Sequence, residues 1–179
     1  MLQDIREVLI SKEAIEAKTK ELAERISRDY KGKDLLVVGV LKGSVIFASE
    51  LIKNITIPCE IDFMAVSSYG SFSETTGVVR ILKDLDSEIS RKHILIVEDI
   101  VDSGVTLSYL LNYLKTRNAS SVEIASLLTK PSRRKVDIDC KYVGFETPDE
   151  FLVGYGLDYA EKYRNLPFIG ILKREVYEK

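Results

Sequence analysis

The sequence predicts an α/β domain built on a mainly parallel β-sheet, and two observations carry that prediction. The runs LLVVGVL (35–41) and HILIV (93–97) are continuously apolar and β-branched, the pattern of strands buried on both faces. Each is followed by a short polar turn and then by helical spacing, so a strand-loop-helix unit occurs twice. In such a fold the ligand lies beyond the C-terminal ends of the strands. The 179 residues fit one domain, spanning 1–179, and no linker or repeat divides the chain.

Taken in order, SKEAIEAKTKELAERISRDY (11–30) places Ile15, Leu22 and Ile26 on one helical face, with Ser11 as N-cap. LLVVGVL is a strand, and helical spacing resumes from Ser44 to Lys53 after the tight loop LKGS. CEIDFMAVSSY (59–69) reads as a strand, and the polar GSFSETTG (70–77), with glycine at both ends, as a mobile loop. HILIVED (93–99) is a strand, DSG a turn, and VTLSYLLNYLKTR (105–117) an amphipathic helix. VEIASLLTK (122–130) reads as a strand. KYVGF (141–145), FLVGY (151–155) and FIGIL (168–172) are shorter strand candidates.

Composition narrows the function. Lys and Arg number 26 against 28 Asp and Glu, a net charge of -2, which sets no field for nucleic acid or anionic lipid and favours a small-molecule partner. The N-terminus lacks a basic region followed by an apolar run and no later stretch is long enough to span a bilayer, so a cytoplasmic, non-membrane protein is expected. Cys59 and Cys140 have no metal-ligand spacing and read as buried small hydrophobes. His93, the only histidine, reads as a strand opener without a catalytic role. The basic KPSRRK (130–135) reads as a solvated turn.

VEDIVDSGVTL (97–107) carries the chemistry. A short turn entering a helix offers backbone N–H groups, with the Ser103 and Thr106 hydroxyls, as an anion site suited to a terminal phosphate. Gly104 lets the backbone approach closely. Glu98 and Asp99 suit a sugar's paired hydroxyls or a hard cation such as Mg²⁺, which leaves Asp102 free for proton work. Read alone, the same residues would make an N-cap and a solvated turn. LKGS has Lys before Gly, the wrong order for an ATP-binding P-loop.

VEDIVDSGVTL resembles the PRPP-binding motif of type I phosphoribosyltransferases. LKGS (41–44), SSYG (67–70), LLTKP (127–131) and GFETPDEFLVGYGLDYAEKYRNLP (144–167) are similar, in order and over nearly the whole chain, to the hypoxanthine-guanine phosphoribosyltransferase family. The resemblance implies the type I phosphoribosyltransferase fold with a small hood formed by the N- and C-terminal segments. It implies transfer of ribose 5-phosphate from PRPP to N9 of hypoxanthine or guanine, giving IMP or GMP and pyrophosphate, with Mg²⁺ as cofactor and a homodimer or homotetramer as the assembly.

Residue by residue, the resemblance makes Glu98 and Asp99 the acids for the ribose hydroxyls, directly or through magnesium, and Ser103, Gly104, Val105 and Thr106 the 5-phosphate cradle. Asp102 becomes the base for the purine N7 proton. Lys42, Gly43 and Arg164 become pyrophosphate ligands, with a cis peptide between Leu41 and Lys42. Lys130 would donate to the purine O6, Phe151 would stack on the base, the Leu152 backbone would read its edge, and Asp158 would help hold a second magnesium. SSYGSFSETTGVVRILKDL (67–85) becomes a flexible closing loop, in which Ser68 and Tyr69 reach the site and exclude water from a carbocation-like sugar. The chain departs from the pattern at Val105, where some family members carry lysine. A xanthine-preferring enzyme and a nucleotide-binding regulator of the same fold are the alternatives.

Overall fold

The computed structural model describes residues 1–68 and 79–178. Its main sheet has six strands in the order β4-β3-β2-β5-β6-β7. These are β2 (Leu35–Leu41), β3 (Glu60–Ser68), β4 (Val79–Lys83), β5 (His93–Val101), β6 (Ser121–Thr129) and β7 (Tyr142–Glu146). All neighbours are parallel except β4, which runs antiparallel on β3 at the edge. Helices α1 (Lys12–Asp29) and α2 (Val45–Asn54) cover one face, where Ile15, Leu22, Ile26, Phe47 and Leu51 pack on Val37, Leu95 and Val97. On the other face α3 (Val105–Lys115) packs Leu107, Leu110 and Leu114 on Leu36, Val38, Ile94 and Ile96. Two such faces explain the uninterrupted apolar runs of β2 and β5, and each fully buried Leu or Ile contributes roughly 1.5–3 kcal/mol.

The N-cap expected for α1 is present, with Ser11 Oγ accepting from Ala14 N at 3.2 Å. His93 opens β5 as expected, its Nδ1 2.8 Å from Ser121 Oγ. The cysteines correct the sequence reading, since both are only partly buried, although burial still pushes the Cys140 thiol up to about 11.

A second sheet lies in the order β1-β9-β8, joining β1 (Ile5–Ile10) near the N-terminus to β8 (Leu152–Val153) and β9 (Ile169–Leu172) near the C-terminus. FLVGY keeps only Leu152 and Val153 as strand. Gly154, Tyr155 and Gly156 have φ of 99°, 48° and 104°, which turns the chain out of extended conformation. The reading of 67–85 as one loop also needs correction. Val79–Lys83 is a strand with Val79 buried, and Lys83 Nζ lies 3.1 Å from Asp62 Oδ1 on β3. Residues 69–78, including Tyr69, lie outside the described residues, and Ser68 pairs with Val79 at the end of β3.

Sheet order positions the site. From β2 the chain continues to β3 on one side, and from β5 to β6 on the other, so the order reverses between β2 and β5. The C-terminal ends of these two strands, Leu41 and Glu98 to Val101, therefore open into a shared crevice, the usual ligand position in an open α/β sheet.

Candidate active site

The loop after β2 forms one wall of the crevice. The Leu41–Lys42 peptide is cis, as the resemblance implies, and Ser44 Oγ donates to Val40 O at 2.7 Å to close the turn into α2. Gly43 packs directly on Asp99, since a Cβ there would stand 1.8 Å from Asp99 Oδ2. On its other side a Cβ at Gly156 would stand 1.9 Å from Gly43 O. The β2 loop is thus clamped between the end of β5 and the turn after β8.

Glu98 and Asp99 are half-buried at the end of β5. Burial raises both, Asp99 to about 6, with Arg164 pulling against it, and Glu98 well above the usual carboxylate range, aided by the charge of Asp99. Raised values mean that the folded chain holds these protons more tightly than the unfolded one. Their stabilising effect is present below the ordinary carboxylate range and is lost as pH rises through about 6. The double variant Glu98→Gln, Asp99→Asn should therefore melt several degrees above the parent at mildly alkaline pH without ligand, with the difference shrinking toward pH about 4, in a scanning calorimetry series.

The turn after β5 leads directly into α3. Gly104 has φ 83° and caps α3, and Ser103 Oγ accepts from Val105 N at 3.4 Å, which leaves the other first-turn N–H groups without partners inside the helix. Asp102, beside this turn, carries an ion pair. Arg133 Nε lies 3.0 Å from its Oδ1, off the hydrogen-bonding direction, so that this buried oxygen accepts no hydrogen bond. Arg133 also reaches Asp149 Oδ1 at 3.3 Å. Within KPSRRK, Pro131, Ser132, Arg133 and Lys135 are exposed, as expected of a solvated turn, whereas Lys130 is buried and Arg134 partly so.

A cavity of about 470 Å³ adjoins these groups, and Asp102, Lys130, Phe151, Leu152, Asp158 and Tyr177 are among its lining residues. Lys130 is 7% exposed and donates to Glu150 O at 2.7 Å, and burial lowers its proton affinity. Tyr177 of the short helix α4 (Arg174–Tyr177) stacks on one face of Phe151 with ring centroids 4.7 Å apart. Tyr159 meets the same ring edge-on at 5.5 Å.

Arg164 pairs with Asp158 Oδ1 at 2.9 Å and Glu161 Oε1 at 3.2 Å, and donates to Gly156 O at 2.7 Å. Glu161 also pairs with Lys42 Nζ at 2.8 Å, so one carboxylate joins the two cations expected to bind pyrophosphate. Asp158 Oδ2 accepts from Glu161 N at 2.9 Å, a turn-forming role beside its charge. Among the described residues no three His, Cys, Asp or Glu converge on one metal position, so Glu98, Asp99 and Asp158 do not form a single ligand set. One or two hard carboxylates at a crevice mouth do fit Mg²⁺, which keeps several waters and binds substrate phosphates.

Sequence reading missed Arg133, Arg134, Glu161 and Tyr177. The paired arginines three and four residues after Lys130 were the available signal for two of them. Among the described residues, three of the four buried side-chain atoms without a hydrogen-bond partner, Asp102 Oδ1, Arg134 Nη1 and Arg164 Nε, belong to this region, as expected where a polar ligand supplies the missing partners.

Residues 8–160 match the phosphoribosyl transferase domain family. The chain is 54% identical over 178 residues to the hypoxanthine-guanine phosphoribosyltransferase of Bacillus subtilis, covering 99% of each. A crystal structure of a hypoxanthine phosphoribosyltransferase from Staphylococcus aureus superposes with TM-score 0.97 at 54% identity, covering 100% of this chain and 97% of that one. One of a hypoxanthine-guanine phosphoribosyltransferase from Bacillus anthracis, with a HEPES molecule in its active site, gives 0.90 at 49% identity, covering 95% and 98%. With its parallel sheet, its acid-rich strand end and its clamped β2 loop, the chain belongs to the hypoxanthine-guanine phosphoribosyltransferase family.

Proposed function

We propose that this chain salvages purines, transferring ribose 5-phosphate from PRPP to N9 of hypoxanthine or guanine to give IMP or GMP and pyrophosphate. The observation that carries the reading is the juxtaposition of a phosphate-type turn at Ser103 to Thr106 with a cavity holding a buried lysine, an aromatic face and a carboxylate. In this reading Ser103, Gly104, Val105 and Thr106 hold the 5-phosphate, Glu98 and Asp99 the ribose hydroxyls, and Lys42, Gly43 and Arg164 the pyrophosphate. Phe151 stacks on the base and the Leu152 backbone meets its edge. Asp102 takes or shares the N7 proton as N9 attacks C1, so that the ring nitrogen is not left cationic. Magnesium, held beside Glu98, Asp99 or Asp158, would neutralise charge on the leaving pyrophosphate. Ser68 and Tyr69 belong to the segment that closes over the site. A single domain with its hood on the β1-β9-β8 sheet, a cytoplasmic location and a homodimer or homotetramer complete the proposal.

The test is chromatography of the nucleotides formed from PRPP and Mg²⁺ with hypoxanthine, guanine, xanthine or adenine. IMP and GMP as the main products support the reading, whereas a dominant xanthine nucleotide transfers it to the xanthine-preferring alternative.

Lys130 gives a sharper expectation. An ammonium donating to O6 favours oxopurines and repels the exocyclic amine of adenine, which is itself a donor. Lys130→Met should raise KM for hypoxanthine about tenfold or more and narrow the preference over adenine, as measured by steady-state rates with each base. Glu161→Gln should act in the opposite direction on pyrophosphate. Glu161 engages Lys42 and Arg164 in the free chain, so its neutralisation should tighten pyrophosphate binding, roughly threefold for exposed ion pairs, in a product-inhibition series.

A further inference from the structure

Arg134 lies on the segment following β6, half-buried beneath the turn after β5. A Cβ added at Gly104 would stand 3.3 Å from Arg134 Cδ and 3.5 Å from its Nη1. The segment is tied to that turn by the N–H groups of Lys135 and Val136, which donate to Ser103 O at 2.9 and 3.3 Å. One arm of the guanidinium is used, Nη2 donating to the buried Thr129 Oγ1 at 2.7 Å. The other arm, Nη1, is buried and has no acceptor. Among the described residues no carboxylate pairs with Arg134, in contrast to Arg133 beside it.

A partly buried cation whose buried N–H has no acceptor is costly unless an anion from outside completes it. The turn above Arg134 contains no cation of its own, since Ser103, Gly104, Val105 and Thr106 are all uncharged. We propose that Arg134 is a positioning residue that supplies the fixed positive charge of this turn, acting through the Gly104 peptide on the 5-phosphate of PRPP and of the product nucleotide. The proposal rests on the reading of the turn as the phosphate cradle. It specifies how a cradle without a lysine obtains its charge: from below, on a side chain anchored by Thr129 and partly shielded from solvent.

The test is calorimetric titration of the whole chain and of Arg134→Met and Arg134→Gln with inorganic phosphate, IMP and inosine. Gln can keep a hydrogen bond to Thr129 without the charge. Both variants should bind phosphate and IMP about tenfold more weakly, with inosine affinity unchanged, the signature of a lost charge near the phosphate alone. Their melting temperatures without ligand should not fall, because a partly buried charge with an unpartnered N–H has been removed, while the rise on adding phosphate should shrink. If either folded variant binds phosphate like the parent, or if inosine affinity falls as far as IMP affinity, the proposal is overturned. Phosphate binding is read here without base or turnover. A chain that binds phosphate through Arg134 yet transfers nothing would sink the transferase reading and leave this one standing.

Discussion

Replacing Gly43 by alanine is expected to reduce kcat/KM for PRPP by about 10²-fold or more while leaving base binding nearly unchanged. The added Cβ would stand 1.8 Å from Asp99 Oδ2 and 2.7 Å from Asp99 Cγ, so one of the two must move. Rotating the carboxylate is no easy escape, because Ile100 N donates to Asp99 Oδ1 at 2.7 Å. Moving the loop is no easier, because the Gly156 turn presses on Gly43 O from the other side. Either displacement separates groups assigned to ribose from those assigned to pyrophosphate, the two halves of the same substrate. Overpacking of this kind costs roughly 1–3 kcal/mol of stability, which a melting curve would register. Adding Asp99→Ala to Gly43→Ala should recover much of that stability by making room, but not PRPP turnover. Recovery of both in the double variant would show that Asp99 matters only as an obstacle.

Asp102→Asn is expected to lower kcat for nucleotide formation by about 10²–10⁴-fold, with KM for PRPP and base altered only a few-fold. Asparagine keeps the shape of the side chain in the cavity between Lys130 and Arg133 but cannot take the N7 proton. It also loses the ion pair with Arg133, an exposed contact worth little by itself. Arg133→Gln separates the two effects. If the loss in Asp102→Asn came from the ion pair, Arg133→Gln would reproduce it; the account predicts a much smaller change, seen in single-turnover rates.

Much of the architecture was legible because it depends on local patterns. LLVVGVL and HILIV could be buried on both faces only between two helical layers, and Ser11 could be recognised as a cap because the residues after it repeat on one face. The second sheet was only partly legible: FLVGY and FIGIL read as strands and are largely buried, but the mostly exposed β1 and its pairing with strands from the opposite end of the chain did not show, and β8 survives for only two residues before positive-φ turns end it. For the site, the adjacent acids and the Ser-Gly turn were legible in one unbroken segment. Contacts between distant segments were not, and these carry much of the electrostatics. Glu161 joins Lys42 to Arg164, Arg133 holds Asp102, and Arg134 lies under Gly104. Lys130 is assigned to the base by the resemblance alone; in the fold it is 7% exposed, bonded to Glu150 O and among the residues lining the cavity.

The central claim is that one crevice, between the ends of β2 and β5, joins a PRPP-type phosphate site to an oxopurine site. Its most direct test is the release of pyrophosphate from PRPP and Mg²⁺ as each base is supplied in turn to the parent and to Asp102→Asn. The account predicts release that depends on hypoxanthine or guanine, is negligible with adenine, and is strongly slowed in the variant. Tight binding of PRPP or nucleotide with no base-dependent release in the parent would contradict it, and would make the chain a nucleotide-binding regulator on a transferase fold.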